Sequence, residues 1–244
     1  MATKCAQCPL RRSDLFAALS DDDIRFMDRF KVGELIIDPG TPLLMEGSNS
    51  PQLFTALRGM GLRFKTLENG RRQVLNFVFP GDFIGLQAAV MGEMQHSVQA
   101  SSAMTLCVFN RSEFWNFFKS HPERAFDLTW LAAVSEHFLG ETLTSVAQRN
   151  ATERVAWALC KIMQRGHALG LSKGHTMPLP YRQQDLADAL GLSLVHTNKT
   201  LGKLRDRQLA NWGDGMLTVS DIAKLMRIAG MDADTDCLPT QPLM

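Results

Sequence analysis

Gln183-Gln184-Asp185-Leu186-Ala187-Asp188-Ala189-Leu190-Gly191-Leu192-Ser193 opens a stretch, Tyr181 to Arg207, whose side-chain order specifies two short helices joined by a tight turn. Leu186, Ala187 and Leu190 lie on one helical face, and Ala187 is small where two helices must cross closely. Gly191 suits the left-handed conformation that ends a helix, and Ser193 can accept from the free N–H groups that begin the next. These are the demands of a helix-turn-helix. In the second helix Val195, Leu201 and Leu204 are available for packing, while Leu194, His196, Asn198, Lys199 and Lys203 carry groups that reach bases and phosphates. Asn pairs bidentately with adenine, Lys donates to guanine, and Leu or Val contacts a thymine methyl. Lys203, Arg205 and Arg207 more naturally meet phosphates, which position the helix without reading sequence. The alternative is a helical hairpin whose polar face meets only water. The turn, the cap, the basic face and the following hairpin together favour double-stranded DNA as the partner.

Downstream, Leu209 to Trp212 and Met216 to Val219 flank Gly213-Asp214-Gly215 and read as a hairpin. Upstream, Ala151 to Ala168 reads as a helix with Val155, Ala158, Leu159, Ile162 and Met163 on one face. Helix, helix, turn, helix and hairpin is the order of a winged helix-turn-helix. Charge follows this division: residues 151–230 hold 11 Lys/Arg against 6 Asp/Glu, residues 1–150 hold 15 against 16, and residues 231–244 hold none against 3. A basic module beside a near-neutral one fits contact with phosphate, although a surplus this small also fits an ordinary solvated face.

From Gly33 to Asn110 short apolar stretches alternate with Asp38-Pro39-Gly40, Glu46-Gly47, Arg58-Gly59, Glu68-Asn69-Gly70 and Pro80-Gly81-Asp82. These are turn signals with a mechanism. Leu53 to Leu57, Gly61 to Leu67, Gln73 to Val78 and Met104 to Phe109 have strand length and roughly alternate, which implies a barrel or jelly roll. Pro122 then suits the first turn of a long helix. Along it Leu128, Ala132, Ser135, Leu139, Thr142 and Val146 recur every three or four residues as a heptad seam, with Leu131 and Phe138 beside it. That seam suits either packing on the chain's own barrel or pairing with a second copy.

No run of eighteen apolar residues lacks charge, and the start lacks the apolar stretch of a signal peptide, so a soluble cytoplasmic protein away from membranes is expected. Cys5, Cys8, Cys107, Cys160 and Cys237 form an odd, scattered set, which argues for reduced thiols or metal ligands rather than a disulfide framework. An enzyme is disfavoured, because the six histidines form no HExxH, and neither GxSxG nor a phosphate-binding GxxxxGK[ST] loop occurs.

With these motifs in place, residues 10–225 resemble the CRP/FNR superfamily of bacterial transcription regulators, on the FNR/FixK-like side. The carriers are Gly40 with Glu46-Gly47, Leu53 to Gly59, Gly70-Arg71-Arg72-Gln73, Pro80-Gly81-Asp82-Phe83-Ile84-Gly85, Asn150 to Val155, and Gln183 to Leu204. The resemblance implies an α+β fold. Residues 1–20 would be an arm with CxxC, 21–120 a cyclic-nucleotide-binding-type β-roll and 121–150 a dimerisation helix. A winged helix-turn-helix would follow over 151–230, with an acidic, disordered tail over 231–244. It implies a homodimer joined through the seam, recognition residues Gln183, Ser193, Leu194, Val195, His196, Asn198, Lys199 and Lys203, a roughly palindromic operator, and RNA polymerase as a further partner.

Departures from the family narrow the input. Where cyclic-nucleotide binders carry a ribose-binding Glu and a phosphate-binding Arg-Ser pair, this chain has Leu86 and His96-Ser97, so cyclic AMP is an unexpected effector. The FNR branch holds an iron–sulfur cluster. Cys5, Cys8 and Cys107 match three of its ligand positions, and the fourth falls near Asp14. The other reading is a CxxC on a loose arm with Cys107 as a small core residue. At the recognition helix Val195 stands where CRP and FNR place Glu, and Lys199 where they place Arg, so docking should transfer while the target sequence should not. A regulator controlled only by its abundance, or a β-roll sensor acting by protein contact, are the competing functions.

Overall fold

The computed structural model describes residues 2–232 and 238–244. It divides into two compact units: one runs up to Ser135 and includes Thr240–Met244, and the other is Glu136–Pro239.

The first unit is the β-roll. Helix α1 (Asp21–Phe30) is started by a reciprocal cap: the Asp23 N–H donates to Ser20 Oγ, and the Ser20 N–H donates to the Asp23 carboxylate. Strands β1 (Lys31–Ile37), β2 (Pro42–Leu44), β3 (Gln52–Arg58), β4 (Gly61–Thr66), β5 (Arg72–Val78) and β6 (Phe83–Ile84) follow. After them come α2 (Leu86–Met91), β7 (Ser97–Ala100), β8 (Met104–Asn110), α3 (Phe114–Ser120) and α4 (Pro122–Gln148). The strands form two four-stranded antiparallel sheets, ordered β1-β8-β3-β6 and β2-β7-β4-β5.

Alternation along β3 sorts its residues between two cores. Phe54 and Ala56 join Ile37, Val78, Ile84, Val98, Met104, Leu106 and Val108 in one core, while Leu53 joins Met27, Phe30, Phe83, Phe109, Phe114, Phe117 and Leu128 in the other. Only glycine fits at position 59, whose φ is +84° and where a Cβ would stand 2.2 Å from the Ala103 carbonyl oxygen.

The second unit carries α5 (Ala151–Ala168), β9 (Thr176–Pro178), α6 (Gln183–Leu190), α7 (Leu194–Asp206), β10 (Ala210–Gly213), β11 (Met216–Val219) and α8 (Ile222–Ala229). Asn150 caps α5, accepting from the Thr152 and Glu153 N–H groups at 3.0 and 3.2 Å. The expected hairpin is β10–β11, turned at Asp214 and Gly215 with φ of +52° and +71°, and β9 adds a third strand beside β11. Among the described residues no helix is long and apolar enough to cross a membrane.

Two expectations change here. The division between units falls within α4 rather than after Asn150, because the last turns of that helix pack on α5: Phe138 stacks on Trp157 at 6.1 Å, and Lys161 Nζ meets Glu141 at 3.0 Å. The side chains of the expected seam differ in what they meet along the helix. Leu128 is 1% exposed inside the β-roll core, Leu131 packs beside it and Phe138 faces Trp157. Thr142 and Val146 are half-buried, whereas Ala132, Ser135 and Leu139 face solvent. Thr129, Ala132, Glu136, Leu139 and Leu143 form the exposed stripe that keeps the three-four spacing, with Leu143 70% exposed.

The acidic segment is also not loose throughout. Gln241, Leu243 and Met244 are buried against the β-roll, and Met244 belongs to its second core. The intervening residues 233–237, Cys237 among them, lie outside the described residues.

Candidate nucleic-acid interface

The start of α6 is held by a buried carboxylate. Asp185, 2% exposed, accepts from the Arg182 N–H at 2.8 Å and from Arg182 Nη2 at 3.0 Å. Arg182 raises its free face to solvent beside the first N–H groups of α6, where Gln183 is half-buried. Helix α6 ends at Gly191 with φ +65°, the Leu192 N–H donates back to the Ala187 carbonyl at 3.0 Å, and Ser193 Oγ accepts from the His196 N–H at 3.2 Å. Ala187 is fully buried, as its small size required.

Helix α7 then divides cleanly. Thr197, Thr200 and Leu204 are buried, and both threonine hydroxyls donate to carbonyls one turn back, on Ser193 and His196. Ser193, Leu194, Val195, His196, Asn198, Lys199 and Lys203 all face solvent. Val195, read above both as available for packing and as a recognition residue, is 79% exposed, so packing falls to the two threonines instead. Threonines with internally satisfied hydroxyls behave as buried apolar groups, which a search for Leu and Val at helical spacing passes over.

The chain matches the profile of the Cyclic nucleotide-binding domain over residues 34–121 and that of the Crp-like helix-turn-helix domain over residues 153–228. It belongs to the CRP/FNR superfamily, on the FNR/FixK branch. Nitrogen fixation regulation protein FixK of Bradyrhizobium diazoefficiens is 27% identical over 92% of this chain and 93% of that protein. Transcriptional activator protein FnrL of Cereibacter sphaeroides is 25% identical over 95% and 94%. The solved structure of FixK2 from Bradyrhizobium japonicum superimposes with a TM-score of 0.73 at 22% identity, covering 82% of this chain and 98% of that one. The CRP/FNR relatives are transcription regulators with a DNA-binding helix-turn-helix, not enzymes.

Two of the positions at which the family resemblance places a cyclic-nucleotide pocket are engaged within the unit. Leu86 packs against the second core, and Ser97 Oγ accepts from the Glu46 N–H at 3.0 Å. Burial, reinforced by Arg63 and Lys65, pushes the His96 imidazole down to about 4, so it is neutral at pH 7 and brings no charge to a phosphate. These residues do not fit a cyclic nucleotide.

A stability consequence follows. The folded-state value lies below the unfolded one, so His96 contributes stability that is fully present above about pH 6.5 and is lost as pH falls toward about 4. The expected contribution, reduced for partial solvation, is about 2–3 kcal/mol. His96→Gln should flatten the fall in urea-unfolding free energy between those pH values; an unchanged slope would refute it.

The cysteines come to one side of the same unit. Cys107 on β8 is paired in register with Glu34 on β1 and Thr55 on β3, and Cys5 packs against the same core as Cys107. Around them the Cys5 N–H donates to Asp28 at 2.6 Å, and Lys31 Nζ donates to the Thr3 carbonyl at 2.6 Å and to Glu34 at 2.7 Å. Burial, then the Asp28 hydrogen bond, pushes the Cys5 thiol up to about 12; burial raises Cys107 to about 11 and raises Cys8 as well. Without a metal the three thiols keep their protons at pH 7, and ligation would have to displace them. Asp14 is exposed, and the carboxylate beside Cys5 is Asp28. Among the described residues no group of three or more His, Cys, Asp or Glu is placed to hold a metal ion. As arranged, Cys5 and Cys107 pack on one core while Asp14 faces solvent.

Proposed function

We propose that the chain regulates transcription as a homodimer whose two α7 helices read half-sites of a roughly palindromic operator, under a signal received by the β-roll or its N-terminal arm. The observation that carries this is the division of α7: Leu194, Val195, His196, Asn198, Lys199 and Lys203 are presented together, while Thr197, Thr200 and Leu204 anchor the opposite face. Exposed Ala132, Leu139 and Leu143 on α4 support pairing with a second copy. Recruitment of RNA polymerase is supported by the relative from Cereibacter sphaeroides, which is named a transcriptional activator.

A gel-shift series on an operator selected from random DNA tests the reading. The selected sites should be inverted repeats about 34–36 Å apart between half-site centres. Affinity should fall steeply, by about 10³-fold or more between roughly 50 and 200 mM salt. Salt-insensitive binding, or none, would favour a sensor acting by protein contact.

A cluster on Cys5, Cys8 and Cys107 would require the arm to rearrange and the thiols to lose their protons. Anaerobic purification with iron and sulfide analysis distinguishes the cases: stoichiometric iron establishes a cluster, and an iron-free protein with Cys5 and Cys8 reduced discards it. A regulator set only by its abundance would bind its operator equally well whatever the state of these thiols.

A further inference from the structure

The sheet face that carries Cys107 is covered by two pieces of chain from opposite ends of the sequence. Across this sheet the register places Glu34, Cys107, Thr55 and Phe83 in one row. The arm crosses the row at its Glu34 end, where the Thr3 N–H donates to the Glu34 carboxylate at 2.9 Å. The segment Thr240–Met244 occupies the row further along: Thr55, 1% exposed, donates from Oγ1 to the Met244 oxygen at 2.6 Å.

Between these two fixings, arm and segment are bonded to each other. The Gln241 N–H donates to the Leu15 carbonyl at 2.7 Å, the Ala17 N–H donates to the Gln241 carbonyl at 2.8 Å, and Phe16 and Gln241 thereby form a parallel bridge. Phe16 is 8% exposed and its ring fills the space above Gly81, where a Cβ would come within 2.1 Å of it. Leu243 and Met244 are each 5% exposed. The cysteine-bearing arm and the segment that follows the winged helix therefore make one hydrogen-bonded layer.

We propose that Thr240–Met244 is an intramolecular strap, and that this sheet face is its docking surface, through which the state of the cysteine arm reaches the winged helix. Chain length gives the strap purchase: from Met231, whose N–H closes the end of α8 on Met226, to Thr240 is nine peptide steps, at most about 30 Å. A docked strap thus ties the winged helix to the β-roll at a second point besides α4. Burying two apolar side chains is offset by ordering five residues, so docking is marginal and a small disturbance of its neighbours releases it. Its neighbour is the arm, since Gln241 bonds to the two residues that flank Phe16.

The test uses the full-length protein and two perturbations, one that undocks the strap and one that severs its connection to the winged helix. Met244→Asp places a charge in the second core, and a protease site introduced within residues 233–237 allows the connection to be cut after folding, leaving the docked segment in place. Iodoacetamide labelling of Cys5 and Cys8, read by peptide mass spectrometry, should accelerate about 10-fold or more in Met244→Asp while hydrogen exchange of β3 and β8 is unchanged. In the reverse direction, alkylating Cys5 and Cys8 in the unmutated protein should speed exchange over residues 240–244. Cutting the connection should change operator affinity by at least about 3-fold and should abolish any further effect of arm alkylation on that affinity. Unchanged labelling in Met244→Asp overturns the coupling of arm and strap. An uncut and a cut protein with equal operator affinity and equal response to alkylation overturn its connection to the winged helix. The labelling and exchange readouts use no DNA, so they stand or fall separately from the operator reading.

Discussion

Leu143→Glu should convert the protein from a dimer to a monomer in sedimentation and weaken operator binding by about 10²–10⁴-fold, with the circular dichroism spectrum unchanged. Leu143 is 70% exposed and Leu139 is 48% exposed, one turn apart on the same face of α4. In a two-fold pairing each side chain is buried twice, once from each copy. Burying a leucine is worth about 1.5–3 kcal/mol, so one substitution removes about 3–6 kcal/mol of association and adds two carboxylates facing one another. Operator affinity falls with it, because the second half-site is no longer held at high local concentration. Leu139→Glu should act in the same direction. The phase of the stripe is separately checkable: Ser135 is exposed but lies off the Thr129, Ala132, Glu136, Leu139, Leu143 line, so Ser135→Glu should weaken association far less. Equal effects at Ser135 and Leu143 would contradict this stripe, and a monomeric parent protein would remove the pairing altogether.

That phase was the part of α4 least visible in the sequence, for a physical reason. A three-four repeat records which residues avoid water, not what they meet. Leu128 and Leu131 satisfy it by entering the β-roll core, and Phe138 leaves the line for Trp157. By contrast, the turn at Gly59 and the stop at Gly191 were legible, because each needs a positive φ that few residues besides glycine adopt cheaply. Long alternating strands such as Gln52–Arg58 and Met104–Asn110 were legible too. The two-residue Phe83–Ile84 and the three-residue Pro42–Leu44 and Thr176–Pro178 are too short to show a period, and only their partners make them strands. At the recognition helix the exposed face was readable from its polar residues, whereas Thr197 and Thr200 concealed the buried one. Around the cysteines, spacing suggested Asp14. Folding also brings Asp28 to Cys5, from a helix more than twenty residues further on, and no local pattern connects the two.

Asn198→Ala and Lys199→Ala should each weaken the preferred operator by about 10–100-fold while leaving binding to unrelated DNA nearly unchanged, and Lys203→Ala should weaken binding to both alike. All three side chains are exposed on α7, but they stand at different depths along it. Asn198 and Lys199 lie in the first half of the helix, where a recognition helix meets base edges; a good bidentate base contact is worth about 1–3 kcal/mol, which sets the expected loss. Lys203 lies one turn further on, near Arg205 and Arg207, where contacts go to phosphate. Its removal should lower affinity for all sequences alike and reduce the slope of log affinity against log salt by about 1. Because Val195 is 79% exposed and apolar, it adds a contact suited to a thymine methyl, so Val195→Ser should lower the preference for one base pair with no change in salt slope. The decisive comparison is between selected and random DNA at several salt concentrations. If Asn198→Ala and Lys203→Ala lost affinity equally on both DNAs and with the same slope, α7 would be lying along the backbone rather than in the major groove, and its division into a reading half and an anchoring half would be wrong.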